Sequence, residues 1–403
     1  MFDRIKHQGY GYETGLLIIE RKQSNMRHHA NQPSSKFIIE PINFDKYTDR
    51  EMLRYCLGAT MYMPGTKDFL QPILTKKYPG LTSMVMCFED ACKEELVPEA
   101  EQNVIQLLDS LNNELKKGTI KYEEIPLIIF RVRSVEQFKH FASMLKPEHI
   151  RLVTAFNFPK FNVDVGEAYF SYLEDLNQKF GEIIYGMPIL ESKEMAYLET
   201  RIPELMGVKE ILDRHKNLVL NVRVGGTDWS SVFGVRRGIN YTIYDIMTVS
   251  DCLKDVLNVF SRHNDYSVSG PVWEYFRATK DMKFEDAPNT INKSLFKQHT
   301  LINDAVDGLL RELLLDRANG FIGKTIIHPT HIPYVNGMLA VTKEVYDDAT
   351  QVLDTSGGVI KSASGNKMNE IGPHRCWAEK IVMRAKAYGV IEDESKYVDL
   401  FEV

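Results

Sequence analysis

The chain has 403 residues, 44% of them hydrophobic and 26% charged, with a formal net charge of −6 at pH 7. That is enough apolar material for one large core with a smaller appendage, or for two ordinary domains. The acidic balance and the lack of a basic block exclude a dedicated phosphodiester-binding surface, so no nucleic acid partner is expected, and no stretch approaches the ~18 uncharged apolar residues of a membrane span.

The opening MFDRIKHQGYGYETG has no apolar core of the length that marks a secretory signal, and a cytoplasmic location is expected. Residues 1–50 read as an N-terminal arm. Within it RKQSNMRHHANQPSSK (21–36) is basic and polar and has the composition of a mobile arm or linker. Five cysteines (Cys56, Cys87, Cys92, Cys252, Cys376) form an odd set without CxxC spacing, which argues against disulfides and a thiolate zinc site and for reduced core thiols.

From residue 51 onward, eight strand-like apolar runs alternate with helical spacing. They are CLGATMYM (56–63), SMVMCF (83–88), IPLIIFRV (125–132), RLVTAFNF (151–158), EIIYGMPIL (182–190), NLVLNVRV (217–224), DYSVSGPV (265–272) and GKTIIHP (323–329). Between them lie helical candidates at 98–117, 135–145 and 290–318, with apolar residues at three- and four-residue steps. The alternation predicts an α/β fold, a (β/α)8 TIM barrel over 51–350, with a C-terminal helical extension over 351–403. A doubly wound sheet is the structural competitor, but the GxGxxG fingerprint of its dinucleotide-binding form is absent. Long insertions follow strand six (225–245) and strand seven (273–290), where βα loops of a barrel shape the pocket. Beyond residue 330, EVYDDATQVLD and CWAEKIVMRAKAYGV read as helices joined by the Gly- and Ser-rich SGGVIKSASGNK.

In a barrel the strand C-termini face the active site, so the polar residues just past each strand form one candidate set. Strand two offers Glu89 and Asp90, strand three Arg131 and Arg133, strand four Lys160, strand five Glu191, strand six Arg223 and Asp228, and strand eight Lys324 and His328. Glu191 and Asp228 stand one βα unit apart and would face one pocket mouth, where two carboxylates can hold a Mg²⁺ or Mn²⁺ ion with positions left for water or a chelating substrate. Alternatively, Glu191 is a helix N-terminal acid and Asp228 a turn or cap residue. Arg131 ends a strand buried on both faces, so its guanidinium belongs in the pocket, clamping an anion or pairing with Glu89 or Asp90. Gly225 and Gly226, before Thr227 and Asp228, would let backbone N–H groups approach an anionic substrate, or simply make a turn. In HPTH (328–331) two histidines stand three apart, but Pro329 and Pro333 interrupt any continuous helix and no third ligand lies at motif spacing, so zinc is not expected.

The series YMPGTK (62–67), CFEDAC (87–92), FRVR (130–133), FPK (158–160), PILES (188–192), GGTD (225–228) and GKTIIHPTHIPYVN (323–336) resembles the citrate lyase beta-subunit and malyl-coenzyme A lyase branch of the HpcH/HpaI aldolase superfamily. NVRVGGTDWSSVFGVRR and GPVWEYF resemble more closely a bacterial subgroup of C–C-bond-lyase-like barrels associated with tellurite-resistance and stress gene clusters. The resemblance implies that Glu191 and Asp228 are Mg²⁺ ligands and that Arg131 binds the substrate's carboxylate or developing enolate. It further implies that Glu89 and Asp90 fix the arginine and the metal waters, that Arg133, Lys160, the 225–227 loop and His328 border the substrate, and that the chain assembles as a homo-oligomer, a trimer or hexamer. The implied reaction is a Mg²⁺-dependent aldol or Claisen-type cleavage or condensation of a 2-keto acid or a related acyl thioester. Family members that use acyl-coenzyme A commonly carry Asn in place of Arg133 and tend to have Gln in place of His331; with the insertions at 225–245 and 271–294, these departures weigh against a coenzyme A thioester as substrate. Two rival expectations stand beside this one: a non-catalytic metabolite- or nucleotide-binding subunit of a stress-response complex, and a phosphoryl-transfer barrel of the phosphoenolpyruvate type.

Overall fold

The computed structural model describes residues 26–263, 265–276 and 302–402. Seven of the expected strands form one parallel sheet: β1 (Ala59–Pro64), β2 (Ser83–Cys87), β3 (Leu127–Arg131), β4 (Val153–Phe158), β5 (Tyr185–Leu190), β6 (Arg223–Val224) and β7 (Lys324–Ile326). Their order is β6-β5-β4-β3-β2-β1-β7. Strands β2 to β5 are buried at every residue, which is why they read as continuous apolar runs rather than as alternating ones.

The connecting helices bury one apolar stripe each. In Val97–Lys117 the buried positions include Val97, Ala100, Val104, Leu107, Leu108 and Leu111, and the helix stops at Gly118, whose φ of 75° suits a residue without Cβ. Helix Val135–Met144 starts at Ser134, whose side chain accepts from the Gln137 N–H. The expected helix over 290–318 is present as Asp304–Asn319, started by Asn303 accepting from the Ala305 and Val306 N–H groups; residues 290–301 lie outside the described residues.

The expected strand at 265–272 is reduced to single bridges, Val268 to Val222 and Gly270 to Lys324. Backbone bonds from Val222 to Ser267 (2.9 Å), from Ser269 to Val222 (3.0 Å) and from Ile322 to Val268 (2.8 Å) nevertheless link it to both neighbours. Pro271 has no N–H to extend the ladder, and Ser269 turns its hydroxyl to Asn221 Oδ1 at 2.8 Å and to the Ile322 carbonyl at 3.1 Å.

Residues 26–36 do not behave as a mobile arm. His28 is fully buried, stacked on Tyr388 with ring centroids 4.3 Å apart, and Ile39 bridges to Val390. The polar composition misleads here because the two histidine rings at 28 and 29 are held neutral by burial, which lowers them to about 3 and about 4. After β7, helices Lys343–Asp354 and Ile371–Tyr388 pack on each other around Val341, Ala349, Val352 and Ala378. The Gly- and Ser-rich joint between them folds as an antiparallel pair, Val359–Lys361 with Met368–Glu370. All five cysteines are free and four are buried. Among the described residues no helix is long and apolar enough to cross a membrane.

Candidate active site

Cys87, Arg131 and Asn157 stand in register across β2, β3 and β4, so the residues just past them gather at one end of the sheet. Arg131 is buried, and its Nη2 lies 2.7 Å from Glu89 Oε2, 3.0 Å from Asp90 Oδ2 and 3.0 Å from Glu191 Oε1. Here is the reason an acidic pair can follow a strand buried on both faces: Glu89 is desolvated, but against a guanidinium and the Lys160 ammonium. The Asp90 N–H also donates to Glu89 Oε2 at 2.8 Å, while the Asp90 carboxylate stays exposed.

Lys160 follows β4 with φ 48°, a left-handed conformation uncommon for a residue with a side chain. That turn aims its backbone N–H at Glu191 Oε1, 2.9 Å away, while its Nζ reaches Glu89. One lysine therefore fixes two acids, one through its backbone and one through its side chain.

Glu191 follows β5 and is buried; Asp228 lies in the first turn of helix Gly226–Val232, just past β6. Both carboxylates converge beside Gly225. A Cβ built there would sit 2.3 Å from Glu191 Cβ, 2.5 Å from its Oε2 and 3.0 Å from Asp228 Oδ2. Gly225 has φ −99° and ψ 73°, and its N–H is bonded to the Leu190 carbonyl at 3.0 Å. The expected role of this N–H toward an anion is therefore not available; the glycine matters because it leaves room for two carboxylates.

Burial raises Glu191 to about 8, against the pull of Arg131 and reinforced by Asp228. Asp228 is likewise raised, by burial and then by Asp90. Glu89 is raised by burial, with Arg131 opposing, whereas for Asp90 the burial effect is outweighed by its bond with Glu89 and by Arg131 and Lys160, so that it is lowered. Two carboxylates crowded and desolvated without enough positive charge are the setting in which a divalent cation binds. Among the described residues no group of three or more His, Cys, Asp or Glu side chains is arranged to hold a metal. Glu191 and Asp228 offer hard oxygen donors of the kind Mg²⁺ accepts, an ion that keeps several positions for water or substrate.

A cavity of about 430 Å³ opens beside the pair, lined among others by Tyr62, Asp90, Arg131, Glu191, Thr227, Asp228 and Thr325. Arg223, which the sequence places in the candidate set at strand six, lines it as well, beside Tyr62 and Thr325, which that set does not contain. For Arg223 the available signal was a charged residue inside the apolar run NLVLNVRV.

Lys160 and Glu89 belong to the charged cluster without lining the cavity, and three expected site residues belong to neither. Arg133 donates to the carbonyls of Phe88 (3.2 Å) and Cys92 (3.4 Å), bracing the loop that carries Glu89 and Asp90 rather than lining the cavity. His328 stacks on Phe276 with centroids 4.1 Å apart and bonds Thr330 Oγ1 at 2.8 Å, also outside the lining. Lys324, collected with the rim residues, is fully buried between Glu312 (2.9 Å) and Asp316 (2.7 Å). The 225–245 insertion is pinned to the same buried group, for Arg237 pairs with Glu312, whose carboxylate also accepts the Ile243 N–H at 2.8 Å.

Residues 51–390 match the family model described as C-C_Bond_Lyase of the TIM-Barrel fold. The chain belongs to this C–C bond lyase family. The stretch shared with the C–C bond lyases contains β1 to β7 and every residue of the carboxylate cluster, so the family resemblance read from the sequence is borne out. No curated protein sequence matches the chain. Among solved structures, CitE from Mycobacterium tuberculosis, in complex with magnesium, acetoacetate and coenzyme A, is 15% identical, covering 82% of this chain and 99% of that one with a TM-score of 0.48. Malate synthase from Haloferax volcanii, in a magnesium and glyoxylate complex, is 11% identical over 77% of this chain and 81% of that one, with a TM-score of 0.47. RipC from Yersinia pestis is 14% identical over 71% and 95%, with a TM-score of 0.45.

Proposed function

We propose that the protein is a Mg²⁺-dependent C–C bond lyase or aldolase acting on a 2-keto acid, on a sheet that closes into a (β/α)8 barrel through the 266–272 segment. The observation that carries the reading is the convergence of Glu191 and Asp228 beside Gly225, with Arg131 bonded to Glu191, at one cavity. Mg²⁺, with Mn²⁺ as the substitute of similar chemistry, would supply Lewis acidity to the keto group.

The chain's own residues do the rest. Glu191 and Asp228 hold the ion; their raised affinity for protons is the same electrostatic deficit that a divalent cation relieves. Arg131 stands where it balances negative charge on a substrate oxygen, and Glu89 and Asp90 fix its orientation. The Lys160 backbone N–H orients Glu191. Arg133 acts one step further out, holding the loop that presents the acidic pair.

The test is turnover with Mg²⁺ and pyruvate, oxaloacetate or glyoxylate, followed by product analysis, for the wild type and for Asp228→Asn. The substitution is expected to abolish turnover and to leave the fold intact, since it changes one oxygen to a nitrogen at a half-buried site. An active Asp228→Asn protein with unaltered metal dependence would refute the assignment, and binding without any product would favour the non-catalytic subunit.

A further inference from the structure

Arg223 presents the largest unexplained charge in the cavity wall. It is 1% exposed, and its guanidinium donates to Thr325 Oγ1 at 2.6 Å and to Ser269 Oγ at 3.4 Å and lies over the Tyr62 ring at 5.4 Å. Its Nε has no partner. Every one of these neighbours is neutral, and no carboxylate pairs with it among the described residues. The burial effect lowers its proton affinity, with Tyr62 as the opposing influence. A buried guanidinium without a counter-charge costs several kcal/mol unless something anionic arrives.

Charge balance sharpens the point. Glu89, Asp90, Glu191 and Asp228 are linked to Arg131 and Lys160, which leaves two negative charges that one divalent ion would cancel. Arg223 stands outside that balance, yet on the same cavity. Its depth is also fixed. Arg223 is in register with Ile189, two residues before Glu191 on β5, so it sits deeper along the parallel strands by about 6–7 Å at the usual rise per residue.

From this we infer an anion subsite at Arg223, on the cavity floor below Glu191 and Asp228, that takes a second carboxylate of the substrate, so that the substrate class is a 2-keto dicarboxylate of four or five carbons. The inference rests on the proposed 2-keto acid reading for the metal end of the cavity. The keto acid end lies at Glu191, Asp228 and Arg131, and the distal carboxylate reaches Arg223 and the Thr325 hydroxyl beside it. The lack of a resident counter-ion then has a function: the site is completed by a substrate with two negative ends and left unbalanced by one with a methyl terminus.

Matched ligand pairs test it by isothermal titration on the full chain at saturating Mg²⁺: 2-oxobutyrate against oxaloacetate, and 2-oxovalerate against 2-oxoglutarate. The wild type is expected to bind one of the diacids about tenfold or more tightly than its partner, the scale of a hydrogen bond to a charged group. Arg223→Gln is expected to erase that preference while keeping the affinity for the monoacid within about threefold, and Arg223→Lys to retain part of it. Equal affinities within both pairs in the wild type would overturn the subsite, whether or not any variant folds; so would an Arg223→Gln protein that keeps the preference. Absence of Mg²⁺-dependent binding of all four ligands would instead overturn the 2-keto acid reading, and the subsite with it.

Discussion

Replacing Gly225 by alanine acts first on the carboxylate pair. The backbone at 225, with φ −99° and ψ 73°, lies outside the left-handed region that favours glycine, so the substitution acts through space rather than through strain. The added methyl would stand 2.5 Å from Glu191 Oε2, 2.3 Å from its Cβ and 3.0 Å from Asp228 Oδ2. Ordinary carbon contacts lie near 3.5–4.0 Å, so Glu191 must retreat by about 1 Å. A ligand group has to be held within about 0.5 Å of its productive position, and displacements near 1 Å cost on the order of 100-fold. Gly225→Ala is therefore expected to weaken Mg²⁺ binding by about 100-fold, measured by titration calorimetry, and, because Glu191 Cβ can retreat only with its backbone, to cost about 1–3 kcal/mol of stability as well. Gly226→Ala is the control. Its methyl would meet Pro271 Cβ at 3.1 Å and Ile243 at 3.5 Å but neither carboxylate, and Mg²⁺ affinity should change by less than about threefold. Wild-type Mg²⁺ affinity in Gly225→Ala would show that the ion is not held at this pair.

Other consequences follow from the same charges. With Glu191 raised from 4.5 to about 8 in the metal-free fold, the folded state binds the extra proton between those values, so metal-free stability falls as pH rises through that window. Mg²⁺ must displace that proton, so its affinity should rise toward tenfold per unit from pH 6 to pH 8, with proton release visible in buffers of different ionisation enthalpy; a flat profile without release would contradict the assignment. Lys324→Met should destabilise the protein by about 3–5 kcal/mol in urea unfolding, because Glu312 and Asp316 would lose a buried cation at 2.9 and 2.7 Å; a loss below about 1 kcal/mol would refute that role.

The parallel sheet was legible because β2 to β5 are buried on both faces and so leave uninterrupted apolar runs with acids and bases at their ends. The same ends exposed Glu89, Asp90, Arg131, Glu191 and Asp228 as a set, since parallel strands bring their C-termini to one side. What stayed hidden depends on direction rather than on position. Arg133 stands two residues past Arg131 but turns to the carbonyls of Phe88 and Cys92, and no periodicity says which of the two faces the cavity. Arg223 stands in the candidate set, but what it does there comes from the neutral company it keeps, which the sequence does not show. Lys324 looked like a rim cation because its two acids come from a helix about ten residues upstream, whose packing the strand pattern does not reveal. The 265–272 segment reads as a full strand because serine, glycine and proline within it break the ladder without breaking the apolar count.

A structure determined with Mg²⁺ and oxalate bound would test the central claim most directly. The account predicts one ion held by a carboxylate oxygen each of Glu191 and Asp228 at about 2.0–2.1 Å, with the oxalate bound to that ion and within hydrogen-bonding reach of Arg131. An ion found away from this pair, or an oxalate out of reach of the arginine, would contradict it.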